Sequence, residues 1–390
     1  MNGLLILNAG SSTLKAALFS VEGHKLSPIF RAKLQFNTKK ASAIVNGRSF
    51  FFKSDNKKEQ IKQFLLKLKE EVCHLDISLI GIGQRVVHGG LKFTKTIKIS
   101  NAVIREVEAL KKIAPLHNTP FLEEYEISKR VFKKIDQFAC FDTSFHQTIP
   151  KSLKTYPIPL AWRKKGIERF GFHGISHKWC FEKAMELLKL NPKSIKAITC
   201  HIGSGVSFTA IKDGKSIFNT MGFTPLEGAM MGTRCGSIDP GILLYLLQSK
   251  SVSLKELDEG LNKNSGLLAL YGHNDMEKLL QDMKKDHPRA AFAFDCFTLS
   301  ALKEIGALAS LLNGIDLICF TGGIGENVPL LREKIGMNLA YLDLQIDKKL
   351  NQQSQNRSIH KKNSPCKATV IYADEESAMA HEIILFFNYV

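Results

Sequence analysis

Arg85 and Arg234 sit in glycine-flanked turns, RVVHGG and GTRCG, where a side chain is free to point into a cleft. Asn8, Arg85, Asp142, His201 and Gly322 each follow an apolar, strand-like run. In open α/β sheets ligands bind beyond the carboxyl ends of strands. His117 and His173 lie in the segments APLHN and GFHG. Arginines, histidines, a carboxylate and glycine turns are the parts phosphoryl transfer uses: positive charge for the equatorial oxygens, a metal for the leaving phosphates, and alignment. Asn8 and Glu375 are by themselves weak candidates as oxygen ligands for such a metal, but Mg²⁺ takes only one or two protein groups while keeping waters. Each residue alone also has a plainer reading. The arginines could form salt bridges, the histidines could be satisfied in the core, and Lys15 could be a solvated lysine. An Asp after a strand is commonly a helix cap.

Glycine turns set the frame for these residues. LLILNAGSSTLKAALFSVEGHK pivots on Gly10 and Ser11, and KAITCHIGSGVSFTAIKDGKS pivots on Gly203 and Ser204, 193 residues later. Each reads as strand, small-residue turn, strand. Such turns expose backbone N–H groups to close approach by a phosphate. Two copies suggest a duplicated domain gripping one polyphosphate from both sides. A third glycine loop, Thr321 to Asn327, follows the strand 315–320, and no Walker A lysine motif is present.

The elements needed to hold these turns are those of an α/β protein. Strands are expected over 4–36, 79–87, 137–142, 195–220, 315–320 and 368–372. Helical spacing marks 60–73 (Ile61, Phe64, Leu65, Leu68, Val72), 101–113 and 292–313. Residues 115–134 read as a loop and then a helix. The terminal helix carries Met379, Ile383 and Phe386 on one face. Residues 147–170 show no clear period, and the polar run 347–366 reads as an exposed loop.

A chain of 390 residues suggests two domains. With 44% hydrophobic and 23% charged residues it has the composition of a soluble globular protein. No apolar run approaches the roughly 20 residues of a membrane span. The start, Met1-Asn-Gly-Leu-Leu-Ile-Leu, lacks a basic region, so no signal peptide is expected. The eight cysteines are scattered without a CxxC pair, as in a reduced cytoplasmic protein. A net charge of +17 raises nucleic-acid binding, but the lysines are dispersed and no RNA motif or helix-turn-helix accompanies them. A lysine-rich surface that steers anionic ligands is favoured instead.

The segments LNAGSSTLK, RVVHGG, APLHN, FDTSFHQTIP, RFGFHGISHKW, CHIGSG, MGFTPLEGAMMGTRCGSIDPG, FTGGIGEN and ADEE, in this order, resemble the acetate kinase family, within the sugar kinase, actin and chaperone ATPase superfamily. The resemblance runs the length of the chain. The block from Met221 to Gly241 is highly specific by itself. It implies duplicated ribonuclease H-like (actin-like ATPase) domains with an interdomain active-site cleft, one formed by 1–148 with 376–390 and the other by 149–375. It implies reversible in-line transfer of the ATP γ-phosphoryl to acetate, giving ADP and acetyl phosphate, with Mg²⁺ (or Mn²⁺). It further implies a homodimer, metabolically coupled to a phosphotransacetylase, with no nucleic-acid or membrane partner. The alternatives are a kinase for propionate or another short acid, and a non-catalytic nucleotide-binding relative.

By position in those motifs, Asn8 and Glu375 would hold the metal, Glu375 through water. Arg85 would bind the acetate carboxylate, with His117 nearby, and Val87, Leu116, Phe172 and Pro225 would line the methyl pocket. His173 and Arg234 would stabilise the transferring phosphoryl. Asp142 is the family's assigned acid/base. A carboxylic acid is already ionised at neutral pH, so Asp142 is expected to organise the metal or arginines rather than take a proton. Ser11, Ser12, Thr13 and Lys15 would lie near the phosphates. The nucleotide would be bound by His201, Ile202, Gly203, Ser204, Gly205, Asp275, Met276, Glu277, Gly323, Ile324, Gly325, Glu326 and Asn327. The chain departs from the family at two positions: Ser204 stands where Asn is usual, and Glu277 where Arg is usual. The second removes a flat cation that could stack on adenine, so a raised KM for ATP is expected.

Overall fold

The computed structural model describes residues 1–10, 12–36, 41–111, 115–353 and 356–388, with the backbone alone at 115–117 and 388. The chain divides into two compact units, Met1–Ser144 with Asp374–Val390, and Phe145–Ala373.

Among the described residues the first unit holds an eight-stranded sheet. Its strands are β1 (Asn2–Ala9), β2 (Thr13–Glu22), β3 (Lys25–Gln35), β4 (Ala41–Val45), β5 (Arg48–Phe52), β6 (Ser78–Val86), β7 (Ile97–Lys98) and β8 (Gln137–Phe141). They run in the order β5-β4-β3-β2-β1-β6-β8-β7. β1–β2 and β2–β3 are antiparallel, β1–β6 and β6–β8 are parallel, and β7–β8 is antiparallel. Side chains alternate between faces along a strand. Leu5 and Leu7 meet Ile61, Phe64, Leu65, Leu68 and Val72 of the helix Lys57–His74. Leu4, Ile6 and Asn8 therefore face the opposite side, which the terminal helix Glu375–Asn388 covers. Gly83 in β6 makes room for that helix: a Cβ there would lie 2.5 Å from Ile383 and 2.6 Å from Ile6. Phe138 of β8 meets Phe386 and Phe387 on the same side.

The second unit contains β9 (Lys196–Ile202), β10 (Val206–Lys212), β11 (Lys215–Asn219), β12 (Leu317–Thr321), β13 (Arg357–Ser358) and β14 (Lys367–Val370), in the order β11-β10-β9-β12-β14-β13. Its pairings follow the same succession: antiparallel, antiparallel, parallel, parallel, antiparallel. Both units thus carry the ribonuclease H-like topology of a duplicated actin-like ATPase fold. One face of β9 and β10 is covered by the helix Pro288–Leu312. The other, with Ala197 and Ile211, packs on Cys180, Phe181, Ala184 and Met185 of the helix Gly174–Leu188.

Two expectations are corrected. Residues 115–131, expected to begin as a loop, are helical from Pro115 onward, because proline fits the first helical position, where its missing N–H costs nothing. The polar run 347–366 is not wholly exposed. It contains the helix Lys348–Asn351, whose buried Asn351 accepts from Nε and Nη2 of the fully buried Arg332 at 2.8 and 2.6 Å. Residues 112–114, where the preceding helix was expected to end, lie outside the described residues. Among the described residues no helix is long and apolar enough to cross a membrane.

Candidate functional site

In the first unit the parallel strands β1, β6 and β8 deliver Asn8, Arg85 and Asp142 to one end of one face. The register sets Leu7 beside Gln84 and Arg85 beside Cys140, so the three side chains are neighbours. Arg85 donates to Asp142 from Nε (3.2 Å to Oδ1, 3.1 Å to Oδ2) and from Nη2 (2.6 Å to Oδ2). Its Nη1 donates to Asn8 Oδ1 at 3.2 Å and lies 3.5 Å from Glu375 Oε2. Asn8 Nδ2 donates to Glu375 Oε2 at 2.8 Å and to Glu376 Oε1 at 2.9 Å. Both glutamates begin the terminal helix, where negative charge complements the helix dipole. Arg31 closes the cluster with ion pairs to Asp374 (2.5 Å) and Glu376 (3.3 Å).

Burial governs the charges here. Asp142 is fully buried, which pushes its carboxyl up to about 6 against the opposing pull of Arg85. Burial alone would weaken the hold of Arg85 on its proton, but Asp142 and Glu375 outweigh it and the guanidinium stays charged. Burial and then Glu375 push Glu376 up as well. Asn8, Glu375 and Glu376 supply hard oxygen donors, and Glu375 is only half-buried. Among the described residues no three His, Cys, Asp or Glu side chains form a metal cage. Such sparse oxygen donors fit a hard divalent cation that keeps its waters and leans on phosphate oxygens.

Lys15, exposed, stands directly across the hairpin from Asn8. Ser12 is exposed and Thr13 half-buried, while Ser11 lies outside the described residues, as do the side chains of Leu116 and His117. Val87 is half-buried just past β6. The segment after β6 is fixed at His88 by Asn118, whose Oδ1 accepts from His88 N–H at 3.0 Å and whose Nδ2 donates to His88 C=O at 3.1 Å.

In the second unit the β9–β10 turn is closed by Gly203 N–H donating to Gly205 C=O at 2.9 Å. A Cβ on Gly203 would lie 3.6 Å from His201 Nε2 and 3.9 Å from Gly323 N, so this turn and the third glycine loop adjoin. A Cβ on Gly205 would lie 3.2 Å from His173 Cε1, 3.4 Å from His173 Nε2 and 3.5 Å from Arg234 Nη1. Glycine is needed there for space: a side chain would fill the gap between imidazole and guanidinium. Gly232 N–H donates to Ser204 C=O at 3.3 Å, which seats the Arg234 turn on the hairpin. Arg234 Nη1 also donates to the carbonyl of buried Pro225 at 2.8 Å.

His173 adopts left-handed backbone (φ 56°) immediately before the helix Gly174–Leu188. Its position is imposed by what precedes it. Phe172, fully buried, donates its N–H to Asn219 Oδ1 at 3.2 Å, and its carbonyl accepts from Asn219 Nδ2 at 3.3 Å. His146 Nε2 donates to the same carbonyl at 2.9 Å. Burial pushes His146 down to about 4, so it is a neutral structural ring. The rings of His173 and His201 lie against one another with centroids 4.3 Å apart and a tilt of 31°.

The third loop is the short helix Gly322–Asn327. Glu326 Oε1 accepts from the N–H groups of Gly322 (2.9 Å) and Ala373 (2.8 Å), and Asn327 Nδ2 donates to Gly323 C=O at 2.9 Å. Gly323 is exposed, Ile324 half-buried and Gly325 buried. Asp275 caps the helix Met276–Met283 by accepting from Glu277 and Lys278 N–H, while Met276 is buried and Glu277 exposed.

Several residues in these clusters are not recognisable by sequence spacing. Arg31 and Glu376 complete the acidic cluster. Arg332 Nη1 donates to the carbonyls of Gly325 (2.7 Å) and Glu326 (2.9 Å) and so anchors the third loop. Arg169 donates to the carbonyls of Asn219, Thr220 and Met221 and pairs with Glu227 at 2.5 Å, while Tyr156 hydrogen-bonds the same carboxylate. This knot holds the segment leading to Pro225. The signal for Glu376 was a run of three acids, 374–376, after the last strand.

Two sheets of one topology, each with a glycine hairpin at the carboxyl end of its central strand, define a duplicated α/β protein of the actin-like ATPase kind. A family model described as the Acetokinase family matches residues 3–381. A Protochlamydia amoebophila (strain UWE25) protein named acetate kinase is 42% identical over 398 residues, covering 100% of both chains. Among solved structures, a propionate kinase from Francisella tularensis subsp. tularensis SCHU S4 is 35% identical with a TM-score of 0.90, covering 98% of this chain and 99% of its own. Porphyromonas gingivalis acetate kinase is 31% identical with a TM-score of 0.90, covering 99% and 100%. The chain belongs to the acetokinase family and is a phosphotransferase with a carboxyl group as acceptor.

Proposed function

We propose that the protein transfers the γ-phosphoryl of ATP reversibly to acetate, with Mg²⁺ as the divalent cation and Mn²⁺ as its substitute. The observation that carries this reading is the meeting of His173, Arg234 and the Gly203–Gly205 hairpin around one gap. An acetate oxygen forms the new bond to the γ-phosphorus as the bond to the β,γ-bridging oxygen breaks, and ADP leaves with that electron pair. His173 and Arg234 donate to the equatorial oxygens, where charge is spread in the transition state. The hairpins and the loop 323–327 hold the nucleotide, with Lys15, Ser11, Ser12 and Thr13 near its phosphates. Asn8 and Glu375 would hold the cation, Glu375 through water, and the cation would neutralise phosphate charge.

We assign Arg85 to the acetate carboxylate, and Val87, Leu116, Phe172 and Pro225 to its methyl. The three hydrogen bonds from Arg85 support an organising role for Asp142: it fixes the guanidinium. Acetate arrives ionised and needs no base. One methylene in an apolar pocket is worth only about 1–3 kcal/mol, so propionate is the second substrate. A solved relative being named a propionate kinase agrees with that overlap.

The reading includes a homodimer, a cytoplasmic location and metabolic coupling to a phosphotransacetylase. The helix Pro240–Gln248, whose Ile242, Leu244 and Tyr245 are exposed, supports self-association, which light scattering tests. Eight free cysteines support a reducing compartment. The decisive experiment traps acyl phosphate with hydroxylamine in the presence of ATP, Mg²⁺ and acetate, propionate or butyrate. Hydroxamate forming fastest from acetate supports the reading; none from any acid leaves a non-catalytic nucleotide binder.

A further inference from the structure

His173 does not stand alone. Its Nδ1 lies 2.8 Å from Ser207 Oγ. The same hydroxyl lies 2.8 Å from His177 Nε2, and His177 Nδ1 lies 2.7 Å from Thr199 Oγ1. Thr199, Ser207 and His177 are all fully buried. The arrangement follows from register: on the face of β9 and β10 covered by the helix Gly174–Leu188, His201 pairs with Ser207 and Thr199 with Thr209. Polar side chains under a helix need internal partners, and His177, one helical turn after His173, supplies them.

Burial, then His146 and His201, drive the His177 pKa well below that of a free histidine, so the ring is neutral with one N–H and one acceptor nitrogen. Two orderings of the chain remain. In one, Thr199 O–H donates to His177 Nδ1, His177 Nε2–H donates to Ser207 Oγ, and Ser207 O–H donates to His173 Nδ1. His173 then carries its proton on Nε2. In the other every donor reverses, and a neutral His173 turns a lone pair toward Gly205 and Arg234. Phosphoryl oxygens only accept hydrogen bonds, so the first ordering alone makes neutral His173 a donor to them.

We propose that Ser207 and His177 are positioning residues that hold His173 as its Nε2–H tautomer, with that edge beside Arg234 at Gly205. This rests on the reading of His173 as a phosphoryl-stabilising group. The relay fixes both the rotation of the ring and the site of its proton before substrate arrives, which is how a preorganised donor gains its effect.

The test uses the full chain labelled with ring-¹⁵N histidine, with His173→Ala to assign the signal. In the unmodified protein His173 should show a protonated Nε2 and an unprotonated Nδ1. Ser207→Ala should mix the two tautomers and lower kcat by roughly tenfold, with KM for ATP and acetate within about twofold. Added to His173→Ala, Ser207→Ala should cost nothing further. Should Ser207→Ala fail to fold, His177→Gln, which keeps an N–H for Ser207, should retain the single tautomer, and His177→Leu should lose it. A protonated Nδ1 in the unmodified protein overturns the relay. So does a Ser207→Ala loss that is equal with and without the His173 side chain, or a tautomer unchanged by both Ser207→Ala and His177→Leu. If the unmodified protein forms no hydroxamate, the kinase reading fails while the tautomer measurement still decides the relay.

Discussion

Replacing Asp142 by Asn separates an organising carboxylate from a proton carrier. Asp142 is fully buried, is pushed up to about 6, and receives three hydrogen bonds from Arg85 at 2.6–3.2 Å. A carboxyl titrating near 6 is about nine-tenths ionised at pH 7 and about one-tenth at pH 5. If ionised Asp142 is needed to aim Arg85, kcat/KM for acetate should fall roughly tenfold between those values, beginning above the range where acetate itself takes up a proton. The Asn variant is nearly isosteric but turns an N–H₂ toward a guanidinium. Stripping one partner from a buried ion pair costs about 3–5 kcal/mol. Glu375, 3.5 Å from Arg85 Nη1, offsets part of this. A loss of roughly 10²–10³-fold in kcat/KM follows at pH 7.

The assay is hydroxamate formation from pH 5 to 8.5, at saturating ATP and varied acetate. The unmodified protein should show an acid limb near pH 6. Asp142→Asn should be uniformly slow, without that limb, and indifferent to added small bases. An Asn variant that keeps the limb refutes its assignment to Asp142. Activity restored by an external base refutes the organising role and makes Asp142 a proton carrier.

Glu124, fully buried and, among the described residues, hydrogen-bonded by Gln84 at 3.4 Å, is pushed by burial from 4.5 up to about 8. The folded protein keeps this proton while the unfolded chain releases it, so the stabilisation is complete below pH 4.5 and is lost as pH rises through 8. It falls by about 1.4 kcal/mol per pH unit, roughly 5 kcal/mol in all. Urea melts of Glu124→Gln should lack this slope, and equal slopes in both proteins would exclude Glu124 as its source. Gly205→Ala, whose methyl would start 3.2 Å from His173 and 3.5 Å from Arg234 at a position outside left-handed backbone, should lower kcat at least about tenfold. Its Tm should stay within a few degrees; unchanged turnover would mean that the gap is not where the phosphoryl passes. Glu277→Arg should lower KM for ATP severalfold by restoring a stacking cation at an exposed position, and an unchanged KM argues against contact with the nucleotide.

Local period is legible in sequence, and remote partnership is not. The apolar spacing over 60–73 marks a helix that runs Lys57–His74, and the alternation at Leu14–Phe19 marks β2. The glycine turns announce where ligands could approach. Nothing local says that Asn8 meets Glu376, 368 residues away, or that Arg31 meets Asp374. Those contacts come from the parallel neighbours of β1 and from the terminal helix lying on its face. Asn351 looked like part of a solvated polar run because its partner, Arg332, is a buried cation on another helix. Ser207 and Thr199 did leave a trace: polar residues alternating with apolar ones in strands buried on both faces require a partner inside.

The two hairpins show how one topology serves opposite electrostatic ends. Asn8 and His201 occupy the same place, one residue from the end of the central strand, and pair with Lys15 and Ser207. In each unit the helix leading into the fourth strand of the topology lies on the other face, so both side chains point at a second helix. In the first unit that helix begins with Glu375 and Glu376, and carboxylates close around Asn8 and Arg85. In the second it begins just after His173, and Ser176 in its first turn reaches His201 Nδ1 at 2.8 Å. The first set of groups suits a hydrated cation, the second an anion. The difference is made by a few residues at a helix start, set against a strand end that the fold repeats.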